Sequence, residues 1–182
     1  NTLLELKKNS KWKLNNEWFN KNKKEKKNWI DKTLDDLNKE TEEAKKEGGK
    51  IHPLQLALDV QEVLTENDWL VIDGGNTHFW SEIAINIAGS KGKKLGGILH
   101  PGTFSMLGVG VPFAVSAKNL NPKSNVVLIS GDGAFLSGGL SIEAAFQEKK
   151  PIVVVIDNNG GLDGLSQHQE RVVESGNPFA TD

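Results

Sequence analysis

Three short apolar runs limit what this chain can fold into: Trp69 to Ile72, Val126 to Ile129 and Ile152 to Ile156. Each is followed by a loop of Gly, Asp or Asn. Runs that are apolar throughout, rather than alternating, fill the middle of a parallel sheet, where both faces are covered. Between them lie stretches of helical period. Ile51 to Glu66 has Pro53 near its start and Leu54, Leu58 and Leu64 at near-helical spacing; Thr77 to Ala88, Leu107 to Lys118 and Leu140 to Glu148 follow. Strands alternating with helices predict an α/β fold, a doubly wound and mainly parallel sheet with helices on both faces. Such sheets bind ligands beyond the carboxyl ends of their strands. That rule selects Asp73-Gly74-Gly75-Asn76-Thr77, Gly131-Asp132-Gly133-Ala134 and Asn158-Asn159-Gly160-Gly161.

The rest of the chain has another character. Residues 1–50 carry fourteen Lys against ten acids, and residues 51–182 carry eight basic residues against fourteen acids and seventeen of the 19 glycines. Leu3, Leu4, Trp12, Trp18, Phe19, Trp29, Ile30, Leu34 and Leu37 recur among Lys, Asn and Glu, the pattern of amphipathic helices with a thin apolar stripe. Residues 1–50 therefore read as a charged helical linker, or the tail of a preceding domain, whose Trp side chains pack on a neighbour. Interleaved acids argue against a basic surface for membrane or nucleic acid. A net charge of -2 points away from nucleic acid. No apolar run approaches the roughly 18 residues of a membrane span. With no Cys there is no disulfide framework and no thiol nucleophile, which favours a cytoplasmic location. The start at Asn1 suggests a fragment of a longer protein.

The second loop carries the chemistry. Asp132 stands at a strand end between two glycines that let a phosphate approach the backbone. A carboxylate there repels a diphosphate unless a cation lies between them. Asn159, 27 positions on at the end of the next strand, offers a neutral oxygen, and Gly161 can turn a carbonyl the same way. Carboxylate, amide and backbone oxygens, completed by phosphate and water, are the hard octahedral set of Mg²⁺. Taken alone, Gly131-Asp132-Gly133 is equally a strand-to-helix turn with Asp as cap; the spaced Asn159 promotes the metal reading.

These residues resemble the two-part motif of the thiamine diphosphate-dependent enzymes that include acetolactate synthase, pyruvate decarboxylase, benzaldehyde lyase and oxalyl-CoA decarboxylase. The segment Gly102 to Gly110 is similar to the one that holds the aminopyrimidine, and Leu162 to Glu170 is similar to the stretch after the paired asparagines in acetolactate synthases. The resemblance covers residues 51–176 and implies a C-terminal diphosphate-binding domain over 51–182, truncated at its end. It implies Mg²⁺ on Asp132, Asn159 and the Gly161 carbonyl. It implies diphosphate contacts from Gly75, Asn76, Thr77 and Gly131, with backbone amides of Gly133, Ala134, Leu162 and Asp163. Ser105, Met106 and Leu107 would hold the pyrimidine: the Ser105 carbonyl accepting from the 4'-amino group, the Leu107 amide donating, and the Leu107 side chain bending the cofactor so that this amino nitrogen can take the C2 proton.

The resemblance also implies a reaction that makes or breaks a C–C bond next to a carbonyl, on a 2-oxo acid or acyl-CoA, most like acetolactate synthase, with a 2-hydroxyacyl-CoA lyase or oxalyl-CoA decarboxylase as the alternative. It implies a pyrimidine-binding domain on the same or another subunit, in a homodimer or homotetramer. Two departures stand out: Ala134 replaces a serine that donates to the diphosphate in many members, and Asp163 is an acid where glycine is common. The glutamate that activates the pyrimidine belongs to a domain outside this chain, so the chain alone is expected to be inactive. His78 and His100 stand beside the loops as candidates for proton relay or as plain hydrogen-bonded bystanders. Two other classes stay open, a dinucleotide-binding module with Asp157 as its acid, and a non-catalytic assembly domain. Against the first, Leu136 stands where a third glycine belongs.

Overall fold

The computed structural model describes residues 5, 15–46, 49 and 51–172. Leu3, Leu4 and Trp12 of the predicted lead-in, and residues 173–182, lie outside them. Contacts divide the chain into two compact units, residues 1–48 and 49–182.

In the first unit, one helix, α1 (Asn16–Lys46), replaces the several helices expected. It starts where the Asn15 side chain accepts the Trp18 N–H at 2.9 Å, an N-cap, and it stays unbroken because no Pro or Gly interrupts it. Ile30 and Leu37, seven residues apart on one face, are buried, whereas Trp18 and Trp29 are exposed.

The second unit alternates helix and strand. Helix α2 (Pro53–Val63) begins at Pro53, which has no N–H to lose, and the His52 ring accepts the Leu54 N–H. Then come β1 (Trp69–Ile72), α3 (Asn76–Ser90), β2 (Gly97–Leu99), α4 (Gly110–Leu120), β3 (Val126–Gly131), α5 (Asp132–Gly138), α6 (Ile142–Gln147), β4 (Val153–Asp157) and α7 (Asp163–Val172). All four strands are parallel, in the order β2-β1-β3-β4. The chain leaves β1 for β2 on one side and returns to β3 on the other, so the carboxyl ends of β1 and β3 form the switch point.

Each inner strand faces two layers, which is why its residues are apolar without alternation. On one face Val71, Val126 and Leu128 pack with Val111, Ala114, Val115 and Ala117 of α4 and Ala145 of α6. On the other, Leu70, Ile72, Val127 and Ile129 pack with Val60 and Leu64 and with Ile85 of α3. Each fully buried Leu or Ile here contributes about 1.5–3 kcal/mol.

The predicted doubly wound class holds, and its elements differ from the expectation in five places. Strand β2 was not expected, since Gly97-Ile98-Leu99 is too short to stand out as a run. Helix α4 starts at Gly110 rather than Leu107, because Gly108 takes φ +83°, outside the right-handed helical region. Helix α5 occupies what was read as a loop, and the helix expected over 140–148 is a 3₁₀ turn (Gly139–Ser141) followed by α6. The pair Gly138-Gly139 divides them. Helix α7 lies where only a motif match was seen.

Both ends of β1 are tied by buried aspartates. At the entry, Asp68 accepts from the Thr65 N–H and hydroxyl at 2.8 Å and from the Asn125 side chain at 2.9 Å, joining the starts of β1 and β3. Burial pushes its pKa up, but these hydrogen bonds outweigh that and hold the carboxyl below its ordinary value. A depressed folded-state pKa adds stability that is present above the unfolded value, near 3.9, and is lost as pH falls through the folded one. Asp68→Asn is therefore expected to destabilise the fold at neutral pH and to remove part of the stability loss below about pH 4. Urea unfolding across pH checks this; parallel wild-type and variant curves would contradict it.

Candidate functional site

The loop after β1 is built around a buried charge. Asp73 is fully buried, and its Oδ1 accepts the N–H groups of Gly74 at 2.8 Å and Gly108 at 2.9 Å, while its Oδ2 accepts the Ser130 hydroxyl at 2.9 Å. One carboxylate thus binds the end of β1, the end of β3 and the segment before α4. Gly74 lies under the carbonyls of Ser105 and Met106, which any Cβ would strike. Gly75, with φ +84°, turns the chain into α3 and leaves the Leu107 methyl 3.0 Å from where a Cβ would stand. Asn76 and buried Thr77 follow as the first residues of α3, a 15-residue helix whose N-terminal amides favour an anion.

The loops after β3 and β4 meet through Asp132. Gly131 pairs with Asp157 across the sheet, so the 27-residue interval from Asp132 to Asn159 is one crossover that returns the chain to the same height. Asp132 Oδ1 accepts the Gly133 N–H at 2.8 Å and its Oδ2 accepts the Gly160 N–H at 2.9 Å. Each oxygen keeps a lone pair for a further partner.

A cleft of about 300 Å³ opens at the switch point. Of the residues the sequence singled out, Gly75, Asn76, Thr77, Leu107, Gly131, Asp132, Gly133, Ala134, Asn159, Gly161 and Leu162 all line it. Ser105 and Met106 do not, being stacked on Gly74; Asp163 is the first residue of α7, and its side chain lies outside what the structure describes. Gly164 and Leu165 of α7 line the cleft and were missed, because nothing in their spacing marks a helix turning back over a site. Among these lining residues the one charged side chain is Asp132, and none is basic.

Beside the cleft runs a second polar group. Ser105 sits in the left-handed region (φ 47°), which is costly for a residue with a Cβ, and its hydroxyl oxygen accepts the Gly75 N–H at 2.9 Å. The same oxygen lies 3.1 Å from His78 Nδ1, and His78 Nε2 lies 3.1 Å from His100 Nδ1. Glu82, one turn along α3, completes a cluster with the two imidazoles. Sequence reasoning reached both histidines but not Glu82 or the Asp73–Ser130 pair. The sole signal for Asp73 was a carboxylate at a strand end before glycine, which Asp132 shares; only packing turns one inward.

The family described as thiamine pyrophosphate enzyme, C-terminal TPP binding domain, matches residues 73–180. The chain belongs to that family. The match starts at Asp73 and takes in all three cleft loops, so the dinucleotide-binding alternative gives way. Among curated relatives, human 2-hydroxyacyl-CoA lyase 2 is 32% identical over 119 residues, 65% of this chain and 18% of the relative. The catabolic acetolactate synthase of Raoultella terrigena is 28% identical over 131 residues, 71% of this chain and 22% of the relative. A solved thiamine diphosphate-dependent 4-hydroxybenzoylformate decarboxylase of Rhodococcus jostii RHA1 superposes with a TM-score of 0.58 at 26% identity, over 72% of this chain and 24% of that one. The chain therefore spans about a fifth of the length of these relatives. It is the thiamine diphosphate-binding domain of an enzyme family whose members include lyases, synthases and decarboxylases.

Removing the Asp73 carboxylate would leave two amides and a hydroxyl without their acceptor, at about 1–3 kcal/mol for each buried group. Asp73→Ala is expected to lower stability by several kcal/mol and to cost far more than Asp132→Ala. Denaturant unfolding of both variants measures this, and equal losses would contradict it.

Proposed function

We propose that this domain binds thiamine diphosphate through Mg²⁺ held by Asp132, Asn159 and the Gly161 carbonyl, as part of an enzyme that makes or breaks a C–C bond next to a carbonyl. One observation supports the metal: among the described residues lining the cleft the one charged side chain is a carboxylate, and no Lys or Arg is there to meet a diphosphate. A hard divalent cation resolves that conflict, and the donors bordering the cleft are all oxygen. The α3 N-terminus with Asn76 and Thr77, and the amides of Ala134, Leu162 and Asp163, supply neutral donors to the phosphates, while Gly131 and Gly133 let them approach the backbone; the Gly133 N–H itself is donated to Asp132. Leu107, seated on Gly75 at the cleft wall, serves as the apolar support for a bent cofactor. The Ser105 carbonyl accepts from the pyrimidine amino group, the Leu107 amide donates to the ring, and Met106 packs beside them.

When bound, the cofactor would supply a nucleophilic ring carbon and, in the cationic thiazolium ring around it, a sink for the electrons of the broken bond. The chain's own residues bind, orient and exclude water. The substrate is a 2-oxo acid or an acyl-CoA, in keeping with the acetolactate synthase and 2-hydroxyacyl-CoA lyase relatives. We place the chain in the cytoplasm; among the described residues no helix is long and apolar enough to cross a membrane. Residues 1–50 act as the link from a preceding domain. The partner is a pyrimidine-binding domain of the same or another subunit, in a homodimer or homotetramer. Phe104, Leu136, Leu140 and Phe146, each more than four-fifths exposed, support such an apposed surface.

Asp132→Ala in the intact protein is expected to weaken Mg²⁺-dependent thiamine diphosphate binding by about 30-fold to several thousandfold, the scale of removing one partner of a hydrogen-bonded charge pair, about 2–5 kcal/mol. Calorimetry with and without Mg²⁺ is the test; unchanged affinity would overturn the assignment.

A further inference from the structure

The His78, Glu82 and His100 cluster lies outside the diphosphate chemistry, and its geometry suits a metal. His78 and Glu82 are four residues apart on one face of α3, and His100 comes from the loop just after β2. His78 Nε2 and His100 Nδ1 are 3.1 Å apart, and Glu82 Oε1 is 3.4 Å from each. Three ligands bound tetrahedrally at about 2.0–2.2 Å stand about 3.3–3.5 Å from one another, so this triangle surrounds such a centre with little movement.

Hydrogen bonding alone leaves the cluster in conflict. His100 Nδ1 accepts the Gly102 N–H at 3.3 Å, so it is the lone-pair nitrogen, and His78 Nε2 must donate to it. Glu82 Oε1 then faces that lone pair at 3.4 Å with no hydrogen between them. A cation satisfies all three ligand atoms, in place of the His78–His100 hydrogen bond and the long one from Gly102. A support for the first ligand is already present: His78 Nδ1 lies 3.1 Å from the Ser105 oxygen, and its side chain is 12% exposed. With Nε2 on a metal, Nδ1–H donates to that oxygen, the arrangement by which ligating histidines are held.

We propose that His78, Glu82 and His100 form a binding site for a zinc-class divalent ion, with a fourth position open. Two imidazoles and one carboxylate select Zn²⁺ over Mg²⁺, which takes the all-oxygen set at Asp132. The ion acts as a positioning element: it locks the His78 ring, which holds Ser105 in its left-handed turn and through it the Gly75 amide at the cleft.

The test titrates the intact, chelator-treated protein with Zn²⁺ against a chromophoric chelator, at saturating Mg²⁺ and thiamine diphosphate, and records the Co²⁺ visible spectrum. One equivalent of Zn²⁺ and four-coordinate Co²⁺ bands are expected. Glu82→Gln and His100→Gln should each weaken Zn²⁺ about tenfold or more at an unchanged melting temperature, while His168→Gln and Asp132→Asn bind it as the parent does. No bound Zn²⁺, or Zn²⁺ bound equally by the Glu82 and His100 variants, would overturn the proposal. Zn²⁺ lost in Asp132→Asn alone would do so too, and would leave the cofactor assignment standing.

Discussion

The architecture of the cleft depends on one buried carboxylate. Asp73 has no exposed surface, yet it is an acid in a parallel-sheet core, and burying an unpaired charge is prohibitive. It is tolerated because Gly74, Gly108 and Ser130 all donate to it. Those three donors belong to segments far apart in the chain, so the requirement to satisfy one charge fixes where β1 ends, where β3 ends and where the 102–110 segment crosses them. Leu107 and Gly75 come together as a consequence. A side-chain hydrogen-bond hub thus does at the switch point what the ladder does inside the sheet.

Asp132 shows the opposite use of the same residue type. It too follows a buried strand and precedes glycine, but its oxygens accept the amides of Gly133 at the start of α5 and of exposed Gly160, and it lines the cleft. The contrast is one of direction. Asp73 spends its charge inward on structure, and Asp132 keeps part of its capacity for a ligand. Among the described lining residues it is the one carboxylate and no basic side chain accompanies it, which is the ground for proposing that metal and cofactor bind together.

Much of this was legible beforehand, for reasons that can be named. Runs such as Val126–Ile129 announce strands buried on both faces, and the interval from Asp132 to Asn159 carries the crossover length within it. Short or glycine-interrupted elements were not legible. Strand β2 is three residues long, α5 begins without any loop after β3, and the helix expected over 140–148 opens as a 3₁₀ turn at Gly139–Ser141. Helix α7 borders the cleft through Gly164 and Leu165, which have no distinctive chemistry of their own.

By itself the sequence determined the alternation of strand and helix, the three loops at the strand ends and the oxygen-bearing side chains on them, because periodicity and residue chemistry are local properties. Only the tertiary structure decided which aspartate is buried and which faces the cleft, since that depends on donors supplied by distant segments. It also brought His78 and Glu82 on a helix to His100 beyond a strand, a meeting of residues 22 positions apart that no local pattern encodes. The physical reason is the same in both cases: a charge or a lone pair takes its role from whatever packing places within about 3 Å of it.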